Sequence, residues 1–247
     1  MGQARSSLGV ADLQRLAARG WRAQEEEQLG EWLLRAAGGF TGRANSALVV
    51  GDPGLPPAEA VTAVARWYTD RGLAPRAMLP GVQARRADAA FAAAGWERSD
   101  TVLMLTAPLG TAPAPAAPVE LSPTPDEAWL AAYSGGGALP PAARSVLTSA
   151  EDVVFAAVCP SPGPPVAVAR GVLTDGWLGV AAVNVDPGHR RQGLATALLD
   201  ALRGWAVERG GHSVYLQVTE DNAPARELYR RAGLIEQHRY WYRRGPA

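Results

Sequence analysis

The stretch Val185–Thr196, VDPGHRRQGLAT, sets two arginines and a glycine between an apolar run and an amphipathic one. A helix that starts at Gly193 leaves its first backbone N–H groups without partners, and their positive dipole end attracts anions. Glycine lets a ligand approach the backbone, Ala195 and Thr196 leave the next turn open, and Arg190 and Arg191 add full charges. The combination suits a phosphate or a diphosphate. Taken alone, a single glycine turn is more often an ordinary turn with solvated arginines. Two other phosphate motifs fail here. A Walker loop needs Gly-Lys, and the chain has no lysine; the three-glycine dinucleotide fingerprint is missing.

Around this junction the pattern alternates between strand and helix. An apolar run, Leu178 to Val185, precedes it. A helix is expected from about Gly193 to Arg209, with Leu194, Ala197, Leu198, Ala201, Leu202 and Trp205 on one face. A strand over Ser213 to Val218, a short helix over Ala223 to Ala232 stopped by Gly233, and a strand over Leu234 to Arg243 follow. Upstream, DVVFAAVC, PVAVARGVLTD and WLGVAAVNV read as a meander, with Asp175-Gly176 as a hairpin turn. The first half repeats this order: strand Ala47–Val50, turn GDPGLPP, helix Ala58–Asp70, strand Pro75–Leu79, helix Arg85–Ala94 and strand Thr101–Thr106. The endings FAAAGWERSDTVLML and LYRRAGLIEQHRYWY also correspond, which points to a duplication. The Pro/Ala-rich TAPLGTAPAPAAPVELSPTP can form neither a helix interior nor a central strand. We therefore expect domains over 1–110 and 118–247, joined by a linker over 111–117. The class is α+β, two similar domains each with a mixed, mostly antiparallel sheet flanked by helices, not a doubly wound dinucleotide fold.

Composition narrows the partners. The chain has 247 residues, 24 basic and 24 acidic, and is 47% hydrophobic, enough for a sizeable core. Balanced charge gives no reason to expect nucleic acid or a membrane surface. Every basic residue other than histidine is arginine, which with the abundant Ala, Gly and Pro reads as a GC-rich bacterial genome. A single cysteine, Cys159, excludes an intramolecular disulfide, argues against a cysteine zinc site, and is expected at a buried strand end; no metal is expected. No apolar segment is long enough for a membrane span, and MGQARSSLGV lacks a signal core. Gly2 and Ser6 match only the bare myristoylation pattern, so a cytoplasmic protein is the expectation. Trp21, Trp32, Trp67 and Trp96 are expected in the core.

The second half resembles the GNAT acetyltransferases. Arg190-x-x-Gly193-x-Ala195 matches their Arg/Gln-x-x-Gly-x-Gly/Ala signature, and the resemblance extends from about residue 118 to 243. It takes in the helix LATALLDALRGWAVERGG, the strand VYLQV, Asn222-Ala223, Leu228-Tyr229 and Gly233. It implies acetyl-CoA as cofactor and an amine, on a small molecule or peptide, as acceptor, in a monomer or homodimer. The backbone of Arg191, Gln192, Gly193, Leu194, Ala195 and Thr196, with Arg190, would hold the diphosphate. The strand end Val183, Asn184 and Val185 would lie along the pantetheine, and a backbone N–H at or near Val183 would polarise the acetyl oxygen. Asn222 would bond the pantetheine, although by its position it is equally a helix cap. Tyr229 would protonate the leaving thiolate.

No general base stands out. Where some relatives carry a glutamate, this chain has Gln217; Glu220 and Asp221 read as loop charges, and His189 as a phosphate or solvent contact. Deprotonating a lysine-like amine at pH 7 costs about 4.6 kcal/mol, but an α-amine only about 1 kcal/mol, so an acceptor of low pKa is the easier substrate. The missing base also motivates the alternative, a catalytically silent coenzyme A-binding or sensing module. A structural protein that binds some other phosphate is a third reading. The first half lacks the signature: its Gly51–Pro57 loop puts an acid and three prolines where phosphate would sit. It is expected to be a degenerate domain that does not bind coenzyme A.

Overall fold

A computed structural model describes residues 8–111, 114–160 and 162–246. Gly2, Ser6 and part of the expected linker lie outside the described residues. The strands are β1 Glu25–Leu29, β2 Trp32–Ala36, β3 Ala47–Leu48, β4 Arg76–Pro80, β5 Glu97–Pro108, β6 Glu120–Ser122, β7 Val153–Val158, β8 Ala167–Thr174, β9 Trp177–Val185, β10 Ser213–Thr219 and β11 Ile235–Arg244. The helices are α1 Val10–Gly20, α2 Pro57–Thr69, α3 Arg85–Ala93, α4 Glu127–Ser134, α5 Ala142–Thr148, α6 Leu194–Glu208 and α7 Ala223–Arg231.

The expected pair of separate sheets is corrected: the strands form one mixed eleven-stranded sheet, in the order β1-β2-β3-β4-β11-β5-β10-β9-β8-β7-β6. The cause lies in the two corresponding strand endings. β11, the last strand of the second half, pairs antiparallel with β4 from Tyr240↔Pro80 to Arg244↔Arg76. β5, the last strand of the first half, pairs antiparallel with β10 from Ser213↔Pro108 to Thr219↔Val102. Each half thus completes its sheet with the other's strand. The compact units follow the exchange, one made of Met1–Thr101 with His238–Ala247, the other of Val102–Gln237. The pairing of Thr106, Ala107 and Pro108 also shows that strand persists into the first residues of the Pro/Ala-rich stretch.

In the first unit, α2 and α3 cover a core of Trp32, Leu34, Ala47, Val61, Val64, Tyr68, Leu79 and Phe91. Trp21, Trp32, Trp67 and Trp96 are all buried. Residues 40–46, ahead of β3, form a loop. Asn45 explains it: its Oδ1 accepts from Ala37 N at 2.8 Å and Gly39 N at 3.0 Å, and its Nδ2 donates to Phe40 O at 2.8 Å and Thr41 O at 3.0 Å. A side chain that serves local backbone so fully competes with a ladder.

The second unit positions the candidate site. β8 and β9 join through Asp175 (φ 48°) and Gly176 (φ 75°), the turn the sequence predicts. α6 buries Leu198, Leu199, Leu202, Trp205 and Ala206 against Val154, Ala156, Ala169, Leu178 and Leu216. Its close seat depends on Gly171 in β8, where a Cβ would lie 2.8 Å from Leu202 Cδ2 and 3.0 Å from Val154 Cγ1. Gly171→Val is therefore expected to lower stability by about 1–3 kcal/mol through overpacking, read by chemical denaturation. Cys159 lies half-buried just past β7, and burial and Glu120 raise its thiol pKa. No helix among the described residues is long and apolar enough to cross a membrane.

Candidate functional site

The site begins where β9 leaves β10. The two pair in parallel only from Ser213↔Trp177 to Leu216↔Val180. Beyond Val180, β9 stays paired with β8 through Ala181↔Arg170, Asn184↔Val168 and Val185↔Ala167, while its β10-facing edge is open. A bulge produces the departure. β9 carries one more residue between Ala181 and Asn184 than β8 does between Arg170 and Val168, and Ala182 adopts φ 53°. A left-handed alanine costs roughly 1–2 kcal/mol, a strain of the kind that collects at functional sites. Val183 and Val185 pack on the hydrophobic cluster that also holds Tyr229. Asn184 spends its side chain elsewhere, Nδ2 donating to Ala132 O on α4 at 2.7 Å, so only its backbone remains for a ligand.

The turn after β9 is braced by Asp186. Its Oδ1 accepts from Gly188 N at 2.9 Å and lies 3.0 Å from His189 Nδ1. These two contacts, the histidine first, hold the Asp186 carboxyl below the usual carboxylate range. His189 is thereby tied into the turn. Arg190 Nε donates to Val185 O at 3.3 Å, and Arg191 (φ 60°) and Gly193 (φ 79°) both turn left-handed. Backbone in this conformation forms a concavity of N–H groups that suits an anion. The first intrahelical bond is Ala197 N to Gly193 O at 3.0 Å; among the described residues the N–H groups of Arg191 through Thr196 find no acceptor. A Cβ on Gly193 would meet nothing within 4 Å, so the space over the helix mouth is open. Leu194 and Ala195 are half-buried, whereas Arg190, Arg191, Gln192, Gly193 and Thr196 are exposed.

α7 closes the arrangement from the far side of the sequence. Asn222 caps it, Oδ1 accepting from Ala225 N at 3.2 Å. Tyr229 is 8% exposed and its hydroxyl makes no hydrogen bond among the described residues. Burial pushes its pKa up to about 12, which keeps the proton on Oη at neutral pH. One hydrophobic cluster of the second unit holds Tyr229 and Leu228 together with Val183, Val185 and Leu194. Gln217, which stands where some relatives carry a glutamate, is half-buried on β10 opposite Met104; of the two loop acids, Glu220 accepts through its backbone from Arg226 Nη1 at 2.8 Å, and Asp221 is exposed. Sequence reasoning missed the bulge at Ala182, which has no residue signature, and the brace at Asp186, which the Asp-Pro-Gly turn does signal.

The corresponding loop of the first unit is filled by its own chain. Glu31 Oε2 accepts from Asp52 N at 2.7 Å, Glu31 N donates to Asp52 O at 2.7 Å, and Asp52 Oδ1 accepts from Gly54 N at 2.9 Å. A carboxylate of the chain thus takes a loop N–H.

Compared with known families, residues 9–243 match the model described as "Probable histone acetyltransferase Rv0428c C-terminal". The chain belongs to this family. It is accordingly a GNAT N-acetyltransferase by family. Two curated relatives agree. One is the uncharacterized N-acetyltransferase YobR of Bacillus subtilis, 24% identical over 95% of this chain and 99% of that protein. The other is the probable histone acetyltransferase Rv0428c of Mycobacterium tuberculosis, 30% identical over 86% of this chain and 67% of that one. In fold, this acetyltransferase is similar to a GCN5-related N-acetyltransferase from Kribbella flavida, with a TM-score of 0.73, 21% identity and 96% of each chain covered.

Proposed function

We propose that this GNAT protein moves an acetyl group from acetyl-CoA to a primary amine of a small molecule or peptide, by direct attack within a ternary complex. One observation carries the reading: the open edge of β9 past the Ala182 bulge runs straight into the unpartnered N–H groups of Arg191 to Thr196 at the mouth of α6. When bound, acetyl-CoA supplies a thioester that an amine can attack. The residues fit it. The N–H groups of Arg191–Thr196, with the Arg190 and Arg191 charges, would hold the diphosphate. The Val183–Val185 backbone would take the pantetheine amides, with Asn222 beside it. A backbone N–H at or near Val183 would polarise the acetyl oxygen, and Tyr229 Oη would hold the proton that the departing sulfur needs.

We read residues 118–247 as the working domain and 1–110 as a degenerate copy, joined over 111–117 and related by duplication. The exchange of β5 and β11 fits this, since strands of similar sequence can stand in for one another in a sheet. The Glu31 carboxylate on the Asp52 N–H supports the absence of a coenzyme A site in the first copy. Calorimetry with acetyl-CoA, followed by thiol-release assays over peptides, polyamines and aminoglycosides, tests the proposal. Binding with turnover on at least one amine is the expected result. Gln217, in place of an acid, favours a second reading, a coenzyme A sensor, for which binding would occur with no transfer across the panel.

A further inference from the structure

β9 changes phase part-way along. Leu178 and Val180 pack into the apolar cluster under α6, and so do Val183 and Val185. Side chains of a strand alternate between faces, so an unbroken β9 would carry Ala182 and Asn184 into that cluster and turn Val183 and Val185 to the opposite face. The extra residue between Ala181 and Asn184 reverses the alternation. Beyond it the valines return to the cluster and Asn184 faces α4, where its Nδ2 donates to Ala132 O at 2.7 Å. Ala132 lies in the last turn of α4, where carbonyls lack an intrahelical donor of the regular kind, and its other donor, Gly135 N, stands at 3.3 Å.

The bulge and this bond depend on each other. In the straight register the Asn184 amide would be buried among apolar side chains and withdrawn from Ala132 O, and a buried amide without a partner is costly. Two terms oppose the bulge. Ala182 is held at φ 53°, and β9 gives up its pairing with β10 past Leu216↔Val180. Such strain persists only where the surroundings enforce it. In WLGVAAVNV every side chain after Trp177 except that of Asn184 is apolar or absent, so Asn184 is the residue that makes the two faces unequal.

We propose that Asn184 is a positioning residue: through its polarity and its bond to Ala132 O it selects the bulged register of β9, and so keeps open the edge that would take the pantetheine. The role of that edge rests on the acetyl-CoA reading; the register does not. Backbone hydrogen exchange of the full chain without cofactor reads the register, in wild type, Asn184→Val, Asn184→Ala and Trp129→Phe. The last removes a bond that α4 makes to β7 instead of β9, from Trp129 Nε1 to Ala156 O at 3.0 Å. The proposal expects exchange over 181–185 and 217–219 to slow at least tenfold in Asn184→Val, as the two segments pair, and at least threefold in Asn184→Ala, which reports even if the valine variant does not fold. Trp129→Phe should stay within twofold of wild type. Calorimetry then compares acetyl-CoA with ADP, which carries a diphosphate but no pantetheine. Asn184→Val is expected to weaken acetyl-CoA at least tenfold and ADP less than twofold, a split that a general loss of stability does not produce. A wild-type protein that binds neither ligand would overturn the acetyl-CoA reading and leave the exchange result to decide the register. Wild-type exchange in both Asn184 variants, or equal slowing in Trp129→Phe, overturns the proposal.

Discussion

Replacing Tyr229 by phenylalanine is expected to lower kcat by about 10²–10⁴ while the acetyl-CoA KM changes little. The expectation rests on what the hydroxyl does not do. It makes no hydrogen bond among the described residues, so its removal strips no structural partner, and the ring stays in the cluster with Leu198, Val218 and Leu234. Stability should therefore change by only about 0.5 kcal/mol, a separation between activity and folding that a packing tyrosine would not show. Steady-state kinetics and chemical denaturation on the same preparation make the comparison. Burial raises the hydroxyl's folded pKa to about 12 from an ordinary value of 10.0. A raised pKa means that the stability linked to the protonated hydroxyl is complete below about pH 10 and is lost as pH climbs through about 12. Tyr229→Phe should thus unfold at a higher alkaline pH than the wild-type protein. An unchanged kcat would remove Tyr229 from the reaction.

The second large effect is expected at Gly193. Its φ of 79° places any other residue in a strained conformation, about 1–2 kcal/mol for a side chain with a Cβ. Because a Cβ there meets no protein atom within 4 Å, the substitution meets no clash inside the fold. A bulky side chain instead stands over the N–H groups of the helix mouth. Hydrogen bonds to a charged partner contribute about 1.5–3 kcal/mol each, so losing even one corresponds to roughly tenfold to a hundredfold in affinity. Gly193→Val should fold, with a modestly lower thermal midpoint, and bind acetyl-CoA at least tenfold more weakly by calorimetry. Wild-type affinity in this variant would contradict the assignment of the diphosphate to this turn.

The parts of the fold that were legible in the sequence are those where local chemistry and periodicity agree. α6 carried its apolar face at helical spacing, and Asp175-Gly176 named its own turn. Other parts were hidden for physical reasons. β1 reads EEEQL, a run of poor strand formers that is held by pairing with β2 and by Arg71, whose guanidinium bonds Glu25. α4 and α5 are short, and α4 relies on an Asp126 cap accepting from Trp129 N at 2.7 Å more than on a long apolar stripe. The exchange of β5 and β11 could not be read from either strand, because their similarity makes both pairings compatible with the pattern. At the site, the glycine, arginines and tyrosine were visible as residue types. The strained Ala182 that turns β9 away from β10 was not, since alanine carries no preference for that conformation.

A crystal structure of the protein with coenzyme A bound measures the central claim most directly. The account predicts diphosphate oxygens within hydrogen-bonding distance of backbone nitrogens between Arg191 and Thr196. Coenzyme A seated elsewhere in the chain, with those nitrogens turned to solvent or to the protein's own side chains, would contradict it.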